Sequence, residues 1–212
     1  KQGRIDSRMA TDWKNDDWPI MPELSDPVQF TAGAAGLIDS IKHVQDVVVF
    51  DDNRPNLSGI FFTAEDGKLA AVSTNTRTLA KYQSETPVPE GINFILPIKA
   101  ADLVPGLFKD DAGLAISVYP GKKKEKNEFS ENDSEEEKPR NEYVVFDSGE
   151  KSLMVRLIDG EFPDYHQVIQ DVTGFPLVNL PCKEVTAALK RIESLVIKGK
   201  NYVMLDIAGN VL

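Results

Sequence analysis

The chain has 212 residues, 41% hydrophobic and 27% charged, a balance that excludes a mainly disordered polymer and suffices for one complete domain and part of another. Its net charge of −10 argues against nucleic acid, because phosphate contacts need Lys and Arg; what matters is whether the basic residues gather on one face. No apolar run reaches the roughly 20 residues of a membrane span, the first residues are polar rather than signal-like, and the lone Cys182 excludes an internal disulfide and fits a reducing cytosol.

Residues 1–27 hold both tryptophans, Trp13 and Trp18, among Asp and Pro with no periodicity, which predicts a linker following something upstream. Pro27–Thr31 alternates and predicts a strand. Gly33–Val44 predicts a helix, with Leu37, Ile38, Ile41 and Val44 on one side at the 3.6-residue period. Val47–Phe50 is a short apolar run, and Asp51–Pro55 has the composition of a turn. Leu57–Thr63, Lys68–Ser73 and Leu79–Gln83 predict successive antiparallel strands, with Glu65-Asp66-Gly67 as the first hairpin turn. Another strand follows at Ile92–Leu96, then a helix at Ala100–Phe108 interrupted by Pro105 and Gly106.

Leu114–Tyr119 and Tyr143–Asp147 predict a hairpin around a low-complexity segment, Gly121–Asn141. That segment has six basic and seven acidic residues, so it does not cause the acidity. Leu153–Val168, LMVRLIDGEFPDYHQV, reads as a strand with Leu153, Val155 and Leu157 on one face, a turn at Gly160 and a stiff FPDY corner. Phe162–Thr173 predicts a linker. A second unit then begins, with a strand at Phe175–Leu180, a helix at Lys183–Lys198 and a strand at Tyr202–Ile207. The helix sets Val185, Leu189, Ile192 and Val196 against Lys183, Lys190, Arg191 and Lys198. This order repeats the start of the first unit, which reads as a weak internal repeat in a piece of a longer protein.

Read for chemistry, the residues give little. Asp159, Asp164 and His166 are metal-ligand types close in sequence, with Asp51 and Asp52 as further carboxylates, so a metal-dependent hydrolase is one reading. Asp159-Gly160 is equally turn chemistry. The chain has no H-x-x-x-H, G-x-S-x-G or P-loop, and Cys182 has no evident His partner. An interaction module with a charged loop is another reading.

Four stretches in order carry a resemblance to a known family. They are RPNLSGIFF at 54–62, KLAAVSTNTRTLA at 68–80, FILPIKAADL at 94–103 and RLIDGEFPDYHQVI at 156–169. Together they resemble the middle domain of the bacterial sliding clamp, the beta subunit of DNA polymerase III, whose run at the second stretch is K-L-x-x-V-A-T-D-G-H-R-L-A. The resemblance implies an α+β DNA clamp fold, with two helices packed on antiparallel sheets in each domain. It implies that residues 1–27 end domain one, 28–170 form domain two and 171–212 begin domain three.

The resemblance also implies a non-catalytic, cytoplasmic processivity factor without cofactor or metal, a homodimeric ring around double-stranded DNA when full length. This chain by itself is then expected to be a monomer. Helices facing the hole would bring Lys99, Lys190, Arg191 and Lys198 to the DNA, with Arg54 on a DNA-side loop. The polymerase, clamp loader and repair proteins would dock through short linear motifs in a hydrophobic pocket. Its wall, carried over by position, is Leu57, Thr74, Thr76, Arg77, Leu79, Pro163 and Val168, with Gln167 at the rim. The chain departs from the family at the pocket: Thr76 stands in place of a small residue, Arg77 of His and Thr78 of Arg, and Gln167 where Arg is frequent. A clamp-like interaction module that does not encircle DNA is the alternative.

Overall fold

Period-two alternation of apolar side chains dictates strands that bury one face, and two antiparallel sheets result. The structure, a computed structural model, describes residues 24, 26–120, 141–169 and 179–193. The chain divides between Pro163 and Asp164 into two units, and the break falls inside the stretch expected to be a linker.

In the first unit, strand β1 (Val28–Gly33) leads directly into helix α1 (Ala34–Val44). Strands β2 (Gly59–Glu65), β3 (Lys68–Thr74), β4 (Leu79–Pro87) and β5 (Asn93–Pro97) follow. Short helices α2 (Ile98–Ala101) and α3 (Leu103–Phe108) come next, then β6 (Gly113–Pro120), β7 (Asn141–Asp147) and β8 (Ser152–Arg156). One sheet has the order β1-β6-β7-β8 and the other β4-β3-β2-β5, with every pairing antiparallel. The expected hairpin of the sixth and seventh strands is present, pairing Ile116 with Phe146. Asp66 and Gly67 both have positive φ, 50° and 72°, the backbone of a tight primed hairpin turn.

The core lies where both sheets meet α1. Leu37, Ile38, Ile41 and Val44 are buried there, as their spacing predicts, with Phe62, Leu69, Leu96, Leu114, Ile116 and Phe146. Ser73 donates its hydroxyl to the Val44 carbonyl, tying β3 to the end of α1. On the other side of the helix His43 stacks on Tyr82 of β4, ring centroids 4.3 Å apart.

The helix expected at Ala100–Phe108 is split at Asp102. The split puts Pro105 in the first turn of α3, where its missing N–H costs no hydrogen bond. Ala101, Val104 and Phe108 then reach the core, while Leu103 and Leu107 are exposed.

Strand β3 is buried on both faces, which alternation alone does not explain. The segment returning after β8 packs on the neighbouring strands β2 and β5 of the same sheet. Ile158 donates its N–H to the Ile95 carbonyl, Phe162 stacks on Phe61 at 4.8 Å, and Asn56 donates its side-chain amide to the Glu161 carbonyl. Close approach here demands glycine: a Cβ at Gly59 would lie 2.5 Å from the Leu96 carbonyl oxygen and 3.0 Å from Cδ1 of Ile158.

The second unit contains a 3₁₀ turn, Tyr165–Gln167, and helix α4 (Cys182–Glu193). Asp164 caps the turn, accepting from the His166 N–H and from the Gln167 side chain. Val185 of α4 is half-buried, while Leu189 and Ile192 are exposed. Val196, Lys198 and the strand expected at Tyr202–Ile207 lie outside the described residues, as do Trp13 and Trp18. So do most of the segment Gly121–Asn141 and most of the strand expected at Phe175–Leu180, whose last residues, Asn179 and Leu180, are described and are not strand.

Candidate functional site

Two loops of the first unit build a groove. Residues 48–58 connect α1 to β2, and residues 75–78 connect β3 to β4. The groove has a volume of about 240 Å³ and is lined by Val49, Asp51, Arg54, Leu57, Asn75, Thr76 and Arg77.

The first loop closes on itself through Asp51 and Ser58. The Ser58 hydroxyl accepts from the Asp51 N–H at 3.0 Å, and the Asp51 carbonyl accepts from the Arg54 N–H at 3.1 Å. The Asp51 carboxylate accepts from the Asn53 N–H and stands 3.9 Å from Nε of Arg54. A 3₁₀ turn at Pro55–Leu57 then delivers Leu57 into a buried position. Val49 and Phe50 are exposed, and Lys99 of α2 sits over the Phe50 ring, 5.7 Å from its centroid.

The second loop is held by hydrogen bonds of its own. Asn75 Oδ1 accepts from the N–H groups of Arg77 and Thr78 at 3.0 and 2.8 Å. Thr74 Oγ1 donates to the Thr78 carbonyl at 2.9 Å and accepts from the Thr76 N–H at 3.1 Å. Thr76 has φ +72°, a conformation a β-branched residue rarely adopts. This is the position at which the family pattern carries a glycine, and the backbone here has the geometry that favours one.

Of the residues expected to form a peptide pocket, the structure brings Leu57, Thr76 and Arg77 together. Thr74 is buried, and its hydroxyl is used inside the turn, so it shapes the loop that carries Thr76 and Arg77. Leu79 is half-buried opposite Thr74 and is not among the residues lining the groove. Pro163 is exposed at the end of the first unit; Gln167 and Val168 are exposed in the second.

Arg54, expected on a DNA-side loop, lines the same groove as Leu57 and Arg77. Val49, Asp51 and Asn75 were not among the expected pocket residues. The signal for Val49 was present: an apolar run ending in a turn, with no partner strand to bury it. Lys99 is exposed on α2 of the first unit; Lys190 and Arg191 are exposed on α4 of the second, and Lys198 is outside the described residues. Among the described residues, no group of three His, Cys, Asp or Glu is placed to hold a metal ion. No described helix is long and apolar enough to cross a membrane.

Comparison with known proteins supplies the frame for this site. Residues 34–164 match the family model described as DNA polymerase III beta subunit, central domain. The beta sliding clamp of Chlamydia muridarum is 23% identical over 179 residues, covering 84% of this chain and 43% of that protein. That of Rickettsia bellii is 26% identical over 202 residues, covering 93% and 48%. The chain thus spans less than half the length of these curated relatives. Among solved structures, a DNA polymerase III beta-subunit sliding clamp from Bartonella birtlesii bound to griselimycin superposes with a TM-score of 0.64 at 21% identity, over 87% of this chain and 45% of that one. The beta subunit from Thermotoga maritima gives 0.62 at 18% identity, over 84% and 43%. These likenesses establish the clamp fold, and the family match covers more than half of the chain: it belongs to the DNA polymerase III beta subunit family, with residues 34–164 matching the central domain.

Proposed function

We propose that this chain is the middle of a DNA sliding clamp: residues 1–27 end its first domain, 28–170 form the second and 171–212 begin the third. On this reading the protein is non-catalytic and cytoplasmic, and it needs no cofactor or metal. Two copies close into a ring around duplex DNA and keep the replicative polymerase on its template. The family match over residues 34–164 carries the proposal.

The net charge of −10 is compatible with this role, because a closed ring retains DNA by topology and needs only weak contacts inside. Lys99, Lys190, Arg191 and Lys198 are the proposed DNA-facing residues, with Arg54 on a DNA-side loop. Each contributes a phosphate contact that salt weakens, which permits sliding. The polymerase, the clamp loader and repair proteins dock through short linear motifs in an apolar pocket whose proposed members are Leu57, Thr74, Thr76, Arg77, Leu79, Pro163, Gln167 and Val168. The groove beside Leu57 and Arg77 supports this, since an extended peptide needs an apolar wall for its anchor and polar groups for its orientation. The Bartonella clamp was solved with griselimycin, so a clamp of this family does take a ligand.

Retention on DNA tests encirclement. The protein carrying all three domains stays on a closed circle and runs off when the circle is cut. Equal retention on both forms would reduce the protein to a clamp-like interaction module. For docking, QLxLF-type peptides bind the chain, and Val49→Lys, an exposed change at the groove wall, weakens binding at least about tenfold by placing a charge against the anchor. Unchanged affinity would remove the groove from the function.

A further inference from the structure

We propose that Phe50 is a positioning residue for DNA contact: its ring holds the Lys99 ammonium in place for a backbone phosphate. The inference rests on the reading of Lys99 as a DNA-facing residue and adds the side chain that aims it. Phe50 is 64% exposed, so packing in the core does not account for a large apolar ring here. Lys99 Nζ lies over that ring, 5.7 Å from its centroid. Lys99 makes no ion pair among the described residues, although Asp102 follows at the helical i, i+3 spacing that brings side chains together. The ammonium rests on the ring and leaves that carboxylate alone.

Two hydrogen bonds set the ring and the ammonium on one frame. The Ser58 hydroxyl accepts from the N–H of Asp51, the residue after Phe50, at 3.0 Å. The Ser58 carbonyl accepts from the N–H of Ile98, the residue before Lys99, at 3.2 Å. The loop before β2 and the start of α2 are therefore joined at a single residue.

Lysine has a long flexible stem and loses much side-chain entropy when it is ordered. The electron-rich ring face attracts the ammonium and restricts that freedom before DNA arrives. The ring takes one side of the ammonium, and N–H donors on the other side stay open to phosphate oxygens. Direct contact between the ring and DNA is the other use of an exposed Phe. The ammonium over its face favours positioning.

The test is fluorescence anisotropy of a labelled DNA duplex at low salt, with the protein carrying all three domains. Lys99→Gln weakens binding about threefold and lowers the slope of log affinity against log salt by about one. Phe50→Leu keeps an apolar side chain but removes the π face, and it weakens binding about two- to threefold, the scale of an exposed cation–π contact. Phe50→Trp, the stronger partner for a cation, restores or exceeds the parent's affinity. In the Lys99→Gln background neither Phe50 change has a further effect. Phe50→Leu matching the parent while Lys99→Gln weakens binding would overturn the role of Phe50. The same loss from Phe50→Leu with and without Lys99 would mean that the ring touches DNA itself, and would overturn positioning. Equal weakening by Leu and Trp would assign Phe50 to the shape of the loop and overturn the proposal. Lys99→Gln without effect, or no duplex binding by the parent, would take down the DNA-facing reading of Lys99 and this proposal with it.

Discussion

Replacing Gly59 by Ala tests whether the segment after β8 is a structural part of the domain. Gly59 opens β2 and pairs with Pro97 of β5. An added Cβ would stand 2.5 Å from the Leu96 carbonyl oxygen, 2.9 Å from Cγ2 of Ile95 and 3.0 Å from Cδ1 of Ile158. The Ile158 side chain can swing away. The Leu96 carbonyl cannot, because it belongs to a strand paired with β2. The strand must separate by several tenths of an ångström, which places the cost at the upper end of the usual overpacking range, about 3 kcal/mol. Ala restricts the unfolded chain and returns about 0.5–1 kcal/mol, leaving a net loss of about 2 kcal/mol. In urea, with a slope of about 2 kcal/mol per molar, the midpoint falls by about 1 M at unchanged slope. The closure of Ile158 onto Ile95 opens with it, so the Ile158 amide exchanges faster with deuterium. A variant within about 0.5 kcal/mol of the parent, or one whose Ile158 amide stays protected, would refute the close approach of these three strands of chain.

Three other changes test separate parts of the argument. Phe162→Ala removes the ring stacked on Phe61; with Phe162 half-buried, the loss is about 2 kcal/mol by urea titration, and a loss below about 0.5 would mean the FPDY corner does not cover the sheet. Thr76→Gly relieves a β-branched residue at φ +72°; the backbone gain of about 1–2 kcal/mol exceeds the entropic cost of glycine, so the midpoint temperature rises by a few degrees, whereas a fall would mean the Thr76 side chain stabilises the turn. Lys151 bonds the Leu107 carbonyl at the end of α3 and the Asp111 carboxylate, both at 3.0 Å; Lys151→Met lowers stability by about 0.5–1 kcal/mol, less at high salt, and a salt-independent loss would point to packing instead of charge.

The elements were legible where local pattern and burial agree. Leu37, Ile38, Ile41 and Val44 recur at helical spacing because they share one wall, and they are all buried. Asp66-Gly67 announced its turn because few residues accept two positive φ values in succession. The family could be named from four short stretches because each marks a place where backbone geometry restricts the choice of residue. Thr76 shows the same rule from the other side, holding a glycine's backbone without being glycine.

Other features depend on residues distant in the chain meeting in space. Nothing local to β2 says that Phe61 is covered; that follows from Phe162 reaching it, about a hundred residues away. Arg54 read as a basic loop residue, and only the fold of residues 48–58 against the turn at 75–78 sets it beside Arg77. Sequence by itself determined most strands of the first unit, helix α1 and the family, since these follow from periodicity and turn chemistry over a few residues. The double burial of β3, the need for glycine at 59 and the charge of the groove were decided by tertiary structure, because each is a contact between segments whose separation along the chain carries no signal.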